Sequence, residues 1–200
     1  MIEPLVYVVD DDRAVLKALE MLLRSAGKTV RTFDAPQDFL EAVDPSMSGC
    51  VVLDINMMGM DGLDVHDELK RRDIQMPVLF LTGHADVPKA VRAMKQGAID
   101  FIEKPFNDEH LLQRVEYALT KAALTSHRKA EHDALHERLG QLTHREREAL
   151  NLIIAGHSNK EIAGLMHISS RTVEVHRARL MHKLEADSLS DLVRMVLGSA

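Results

Sequence analysis

The sequence contains a single cysteine, Cys50, and no excess of glycine (10) or proline (6) in its 200 residues. One cysteine excludes an internal disulfide, and Cys50, at the start of an apolar run, is interpreted as a small buried residue. The ordinary glycine and proline content excludes a disordered, low-complexity chain. With 46% hydrophobic and 28% charged residues, a chain of this length is expected to form two small domains, each with its own core.

Long hydrophobic runs and a polybasic character are also missing. No apolar run approaches the roughly 18 residues that span a bilayer, and Met1–Pro4 lacks the basic residues of a secretion signal. We therefore expect a cytoplasmic protein with no membrane partner. The net charge is −6, and residues 1–121 carry 14 Lys and Arg against 21 Asp and Glu, whereas residues 140–200 carry 8 against 7. Any nucleic-acid binding would have to come from a local stripe in the last segment.

Short apolar runs alternate with helical periodicity through residues 1–121, which predicts a parallel sheet wrapped by helices. Gly27 and Gly97 end two of the helical patterns. The expected fold is a doubly wound, flavodoxin-like (βα)5 domain, for which the strand order would be 2-1-3-4-5. The predicted strands are Leu5–Val9, Thr29–Phe33, Cys50–Asp54, Val78–Thr82 and Ile99–Glu103.

The rest of the chain has helical patterns only. Residues 122–139 are polar and lack proline, which predicts a helical linker. Four helical patterns follow, so residues 140–200 are expected to form an all-α domain of four helices. The second and third patterns predict a helix, a short turn and a second helix that begins at the N-cap Ser169.

Carboxylates end two of the predicted strands. Asp10, Asp11 and Asp12 follow the first strand and Asp54 ends the third, and in the expected winding these strand ends border the crevice where ligands bind. Carboxylate oxygens suit Mg²⁺, which keeps waters that a phosphate can displace. Asp12 also fits the simpler role of a helix cap. The sequence thus predicts a magnesium site at this edge of the sheet.

Two further strands end at the same edge with groups of different chemistry. Strand 4 ends in Thr82, a hydroxyl, and strand 5 is followed by Lys104, a cation. A carboxylate, a metal ion, a hydroxyl and an ammonium are the groups that phosphoryl transfer to an aspartate requires.

The motifs "VVDDD", "LDINMMGMDG", "LTG" and "FIEKPF" fall in order at four strand ends, and through them residues 1–121 resemble the receiver domain of two-component response regulators. The resemblance implies that Asp54 accepts a phosphoryl group from a sensor histidine kinase. It also implies that Thr82 and Lys104 hold the phosphoryl oxygens and that the Lys104–Pro105 bond is cis. Met58 stands where relatives usually have proline, which implies a looser loop and bears on the lifetime of the phosphorylated state.

The same resemblance implies a metal site and a switch. Mg²⁺, or Mn²⁺ in its place, would bind Asp11, Asp54 and the backbone carbonyl of Asn56, with Asp10 acting through water. On phosphorylation Thr82 would move inward and Phe101 would move with it. The chain would then form a homodimer through the face of helix 4 and strand 5, for which the candidate residues are Val91, Met94, Lys95, Ile99 and Phe101.

The helical half resembles the LuxR-type DNA-binding domain through "LTHREREAL", "AGHSNKEIA" and "ISSRTVEVHRARLMHKL". The whole chain is thereby similar to response regulators of the NarL/FixJ type, on the FixJ branch, which implies promoter DNA and RNA polymerase as partners. The resemblance implies that Asn159 and Lys160 contact the DNA backbone. It implies a recognition helix that is anchored by Arg171, Thr172, Arg177 and Arg179 and that presents Glu174, Val175 and Ala178 to base edges.

Two other functions fit parts of the sequence. "VVDDD" contains the D-x-D pattern of haloacid-dehalogenase-type phosphatases, with Asp10 as nucleophile, although no hydroxyl follows within four residues. Alternatively, the helical half of a receiver protein would bind RNA or another protein. On the favoured interpretation the chain is not an enzyme and catalyses only its own phosphorylation and dephosphorylation.

Overall fold

The computed structural model describes residues 5–83 and 87–197, and the chain divides into two compact units between His127 and Arg128. The first unit contains one parallel sheet with the strand order β2-β1-β3-β4-β5, which confirms the predicted winding. Its strands are β1 Leu5–Val9, β2 Thr29–Phe33, β3 Gly49–Asp54, β4 Val78–Thr82 and β5 Asp100–Glu103. Its helices are α1 Arg13–Ser25, α2 Pro36–Ala42, α3 Gly62–Arg71 and α4 Val87–Lys95, followed by α5 Asp108–Gly140, which crosses the division.

Two hydrophobic clusters cover the two faces of the sheet. The first cluster contains Phe39 of α2, Leu63 of α3 and Phe80 of β4. The second cluster contains Leu19 of α1 and Leu111 of α5. All residues of β3 are buried, because a parallel sheet covered on both faces leaves no strand side for polar residues. Burial on both faces of the sheet therefore explains why the strands appear in the sequence as continuous apolar runs.

The structure moves two of the predicted strand boundaries by one residue. β3 begins at Gly49, which pairs with Leu5 of β1, and β5 begins at Asp100, although the Ile99 amide still donates to the Val78 carbonyl at 2.8 Å. Gly49 has φ +152°, and a Cβ at that position would lie 2.0 Å from the Leu5 carbonyl oxygen. The strand therefore extends to a position that only glycine fits.

The second unit contains the end of α5 and four helices, which are α6 His144–Ile154, α7 Asn159–Met166, α8 Ser170–Leu184 and α9 Leu189–Leu197. Ile162, Val173, Leu180, Leu184 and Leu192 are all buried in its core. None of the helices in residues 5–83 and 87–197 combines the length and the apolarity needed to cross a bilayer.

Capping side chains define where these helices begin. Ser169 accepts a hydrogen bond from the Thr172 amide and caps α8, as predicted. Thr143 and Ser158 each form a reciprocal capping box with the glutamate three residues later, at the starts of α6 and α7.

His66, on α3, is an ionisable side chain inside the first core. Only 5% of the residue is exposed, and its ring meets the Phe80 ring edge-on with 5.6 Å between centroids. Its Nδ1 has no hydrogen-bond partner among the described residues. Burial, with a smaller contribution from Lys70, lowers the pKa of His66 from 6.5 to about 4, so the ring is neutral at pH 7.

Replacing His66 with Phe is expected to reduce the acid sensitivity of the first unit. As the pH falls from 6.5 to 4, the unfolded chain takes up a proton at His66 and the folded chain does not. The unsubstituted protein should therefore lose up to about 3 kcal/mol of unfolding free energy that H66F retains. Tyrosine fluorescence during urea unfolding measures this unit alone, because Tyr7 and Tyr117 are the only tyrosines and the chain has no tryptophan.

The matched control is H110F, since His110 is exposed on α5. Equal losses of stability in H66F and in the unsubstituted protein between pH 6.5 and 4 would contradict a neutral, buried His66.

Candidate functional site

Four strands deliver polar side chains to one edge of the sheet. Asp10 directly follows β1, Asp54 ends β3, Thr82 ends β4 and Lys104 directly follows β5. Because the strands are parallel, all four positions lie at the carboxyl edge of the sheet. Asp10 is 1% exposed, Asp54 5% and Thr82 0%, so the groups are held in the interior rather than displayed on a surface.

The Lys104 ammonium joins the two buried carboxylates. Its Nζ lies 2.6 Å from Asp10 Oδ2 and 2.7 Å from Asp54 Oδ1. Burial raises the pKa of Asp10, and the hydrogen bond from Lys104 opposes that rise. Burial alone would lower the pKa of Lys104, but the bonds to Asp10 and Asp54 outweigh it and raise the pKa. Lys104 is therefore a stable cation, and it sits at the centre of the pocket.

Backbone amides hold the remaining carboxylate oxygens. The Asp12 amide donates to Asp10 Oδ1 at 2.9 Å, and the Asn56 amide donates to Asp54 Oδ2 at 2.8 Å. Asp11 Oδ2 accepts from the Met58 amide at 3.0 Å. Each carboxylate is thus oriented by the loop that follows its own or a neighbouring strand.

Asp12 serves as a helix cap rather than as a pocket carboxylate. Its side chain accepts from the Ala14 amide at 2.8 Å and caps α1, which confirms that interpretation and leaves three carboxylates for the pocket. The Lys104–Pro105 peptide bond is cis, as expected.

Two contacts shape the loop that follows Asp54. Gly62 packs so closely on it that a Cβ would lie 2.3 Å from the Asp54 carbonyl oxygen. Lys89, on α4, donates to the Asn56 side-chain oxygen at 2.9 Å and so connects α4 to this loop. The exposed Met58 side chain, 84% of it accessible, has no part in the packing.

The predicted switch and pairing residues lie on neighbouring elements of the first unit. Phe101, on β5, is half-buried against the first core, and Ile99 is half-buried against the second. On α4, Val91 and Met94 are 46% and 47% exposed, and Lys95 is exposed. The five residues divide into an exposed helical group and a half-buried group on and beside β5.

The second unit presents one face of α8 to solvent. Val173, Leu180 and Leu184 face the core. The exposed side chains are Arg171, Glu174, Val175, Ala178 and Arg179, and Thr172 is half-buried beside the cap. A surface of small, polar and basic side chains on the second helix of a helix-turn-helix has the form that enters a DNA major groove.

The two residues predicted to contact the DNA backbone at the start of α7 differ in exposure. Lys160 is exposed, whereas Asn159 is half-buried and its Oδ1 accepts from Arg177 Nη1 at 2.8 Å. Arg177 thereby links α8 to the first turn of α7. Two residues expected to contact DNA independently are bonded to each other.

Comparisons with known proteins agree with both halves of the chain. The family model described as "Response regulator receiver domain" matches residues 6–116, and the one described as "Bacterial regulatory proteins, luxR family" matches residues 140–196. The chain is a response regulator of the NarL/FixJ type.

Its relatives match it over nearly their whole length. This response regulator is 45% identical over 192 residues to the transcriptional regulatory protein FixJ of Bradyrhizobium diazoefficiens, covering 96% of this chain and 94% of that protein. It is 42% identical over 190 residues to the response regulator protein TodT of Pseudomonas putida, covering 95% and 84%. The solved structure of the response regulator StyR has a TM-score of 0.90 and 43% identity, covering 98% and 99%.

These findings establish a two-component transcriptional regulator. Its relatives are transcriptional response regulators rather than enzymes, and the two domain types imply a sensor kinase and DNA as partners. The phosphatase alternative that uses Asp10 loses its support, because the receiver family accounts for the same motif.

The pocket of this response regulator has the donor chemistry that Mg²⁺ requires. Receiver domains generally bind Mg²⁺ at their acidic pocket. Asp10, Asp11 and Asp54 offer hard oxygens, and the single ammonium of Lys104 leaves them an excess of negative charge that a divalent cation balances. In the described part of the chain, no three His, Cys, Asp or Glu side chains are grouped closely enough to hold a metal by themselves. Hard oxygen donors of this kind suit Mg²⁺, an ion that takes few protein ligands and keeps several of its waters.

Sequence reasoning missed a buried ion pair in the second unit. Glu146, 3% exposed, accepts from Lys183 Nζ at 2.7 Å and from the Thr143 amide at 2.9 Å. The Lys183 bond, helped by the Thr143 amide, lowers the pKa of Glu146 to about 2. The pair ties the start of α6 to the last turn of α8. The T-x-x-E spacing of a capping box was the signal that could have found Glu146.

Replacing Lys104 with Met is expected to destabilise the first unit in the absence of divalent metal. The substitution leaves Asp10 and Asp54 buried without their shared cation, which should cost roughly 3 kcal/mol of unfolding free energy. Mg²⁺ should restore more of that loss in K104M than it adds to the unsubstituted protein, because it replaces the missing positive charge. Urea unfolding followed by tyrosine fluorescence, with EDTA and then with Mg²⁺, measures both effects.

The matched control is K28M, which breaks the more exposed pair between Lys28 and Glu116 in the same unit and should cost less than about 1 kcal/mol. If K104M and K28M unfold at the same urea concentration in EDTA, Lys104 is not the group that balances the pocket.

Proposed function

We propose that this response regulator is a transcription factor switched on by phosphorylation of Asp54 by a sensor histidine kinase. The observation that carries the proposal is the pocket itself, in which one ammonium bridges Asp54 and Asp10 at the carboxyl edge of the sheet. We assign residues 1–121 as the receiver, 122–139 as a helical linker and 140–200 as the DNA-binding domain, and we propose that the protein acts in the cytoplasm.

The chemistry assigned to the pocket is phosphoryl transfer. One oxygen of the Asp54 carboxylate attacks phosphorus while the phosphorus–nitrogen bond of the kinase phosphohistidine breaks, and the imidazole keeps the electron pair. Lys104 and the Thr82 hydroxyl then hold the phosphoryl oxygens. The receiver catalyses this transfer and the later hydrolysis on itself and acts on no other substrate.

The residues that would hold Mg²⁺, or Mn²⁺ in its place, are Asp11, Asp54 and the backbone carbonyl of Asn56, with Asp10 acting through water. The ion would supply charge neutralisation for the incoming phosphoryl group. The amide of Asn56 already bonds Asp54 Oδ2, which supports the proposal because the same short loop then carries the acceptor and the metal ligand.

The proposed output is pairing of two chains. The phosphoryl oxygens on Asp54 would draw the Thr82 side chain inward and let Phe101 move, which would alter the surface beside α4. The exposed Val91, Met94 and Lys95, together with Ile99 and Phe101, form the proposed dimer face. Two DNA-binding domains in one dimer would bind two half-sites, so the second contact gains from effective concentration.

The proposed DNA contacts come from α7 and α8. Lys160 and Arg179 would contact phosphates, with Arg171 and Thr172 at the start of α8, and Glu174, Val175 and Ala178 would face base edges. The hydrogen bond between Arg177 and Asn159 assigns that pair a second role, which is to fix the angle between α7 and α8. The exposed face of α8 supports DNA over the RNA or protein alternative, and RNA polymerase is the proposed partner on the promoter.

Asn replacements at Asp54 and Asp10 test the phosphoacceptor. After incubation with Mg²⁺ and acetyl phosphate, the unsubstituted protein should gain the mass of one phosphoryl group and should sediment as a dimer. D54N should gain neither, because it lacks the attacking oxygen, whereas D10N should still be phosphorylated, only more slowly. Intact-mass spectrometry and analytical ultracentrifugation measure the two properties. Loss of the mass gain in D10N but not in D54N would assign the reaction to Asp10 instead.

An Arg179→Ala substitution tests the DNA interface. Removal of one phosphate contact should weaken binding to all DNA sequences alike and lower the slope of log K against log salt by about 1. Fluorescence anisotropy with duplex DNA at several salt concentrations provides the measurement. R194A, on α9, is the control, since Arg194 pairs with Asp191 there. Unchanged DNA affinity and salt slope in R179A would contradict the assignment, and equal affinity for RNA would favour the alternative.

A further inference from the structure

A pair of histidines lies on the part of α5 that belongs to the second unit. His132 and His136 are one helical turn apart and both are exposed, with 5.1 Å between their ring centroids and 31° between the ring planes. Neither the receiver match nor the luxR match reaches this segment, which lies between residues 116 and 140. The pair therefore falls outside the chemistry assigned to either domain.

The spacing of these two rings is the spacing that chelates a metal ion. Histidines at i and i+4 on one helix face can direct a nitrogen from each ring to a single cation, as in metal-binding helices with an H-x-x-x-H pattern. Both side chains are exposed, so rotation about their side-chain bonds breaks no core packing. Neutral imidazole nitrogen prefers Zn²⁺, Cu²⁺ and Ni²⁺ over the oxygen-seeking Mg²⁺.

Acidic residues stand directly beside both rings in the sequence. Glu131 and Asp133 flank His132 and Glu137 follows His136, whereas the basic residues Arg128 and Lys129 lie one turn before His132. Asp133 Oδ1 lies 3.8 Å from His132 Nδ1, which is too long for a hydrogen bond but close enough to lower the potential at the ring.

We propose that His132 and His136 form a two-histidine site for a divalent transition metal ion such as Ni²⁺, Cu²⁺ or Zn²⁺. Water would fill the other coordination positions of the ion. The ion joins two successive turns of α5, so its binding stabilises the helix over residues 128–140. The proposal stands independently of the phosphorylation switch.

Titration of the full-length protein with Ni²⁺ in saturating Mg²⁺ tests the site. Mg²⁺ occupies the carboxylate pocket and does not compete for imidazole. The unsubstituted protein should bind one tight equivalent of Ni²⁺ by equilibrium dialysis, and paramagnetic broadening should affect the His132 and His136 ring signals first. H132A and H136A should each weaken binding more than about tenfold, because one imidazole alone cannot chelate.

The sharpest variant is H136Q. It keeps a polar side chain of similar size at the same position but removes the second imidazole, so it should bind Ni²⁺ as weakly as H136A. Amide hydrogen exchange over residues 128–140 should slow with Ni²⁺ in the unsubstituted protein and stay unchanged in this variant. H127A, which leaves the pair intact, is the control and should bind normally.

Two results would overturn the proposal. The first is equal Ni²⁺ affinity in H136Q and in the unsubstituted protein. The second is a titration in which Ni²⁺ broadens the ring signals of another histidine before those of His132 and His136.

Discussion

The bond between Lys104 and the two carboxylates Asp10 and Asp54 is the interaction on which the first unit depends. Burial, with a smaller contribution from the neighbouring Asp54 charge, raises the pKa of Asp10 because both disfavour the ionised carboxylate. One ammonium shared by both offsets these costs, and the amides of Asp12 and Asn56 orient the remaining oxygens. The ammonium and the two amides all favour the charged form of the carboxylates, which is the form that the proposed phosphoacceptor and magnesium site need.

The arrangement of the sheet makes this bond possible. Asp10, Asp54 and Lys104 are separated by tens of residues, and they meet because β3 lies next to β1 and all strands point the same way. Apolar clusters on both faces hold the strands in register, so the position of each polar side chain follows from where its strand ends.

In the second unit, hydrogen bonds between polar side chains connect the helices to one another. Glu146 and Lys183 connect α6 to α8, and Arg177 and Asn159 connect α8 to α7. Glu146, Lys183 and Asn159 lie at helix ends and Arg177 lies in the middle of α8, so each pair joins one helix to another rather than stabilising a single helix. α8, which carries the exposed face, is thus bonded to both α6 and α7.

Much of the fold was predictable because its causes are local. Strands buried on both faces must be apolar along their whole length, and Ser169 caps a helix through its own neighbours, so both could be inferred from short stretches. The start of β3 could not, because Gly49 belongs to the strand only through its close approach to Leu5. His66 also escaped prediction, since nothing in its neighbourhood along the chain indicates that it faces Phe80.

The sequence by itself determined the class of each half, the strand and helix types and the set of polar residues at strand ends, because periodicity and capping are properties of adjacent residues. Tertiary structure alone decided which of those polar groups share a partner. Lys104 bridges Asp10 and Asp54, Asp12 turns away to cap α1, and Arg177 bonds Asn159, because hydrogen bonds depend on distances of a few ångströms that only the packed chain defines.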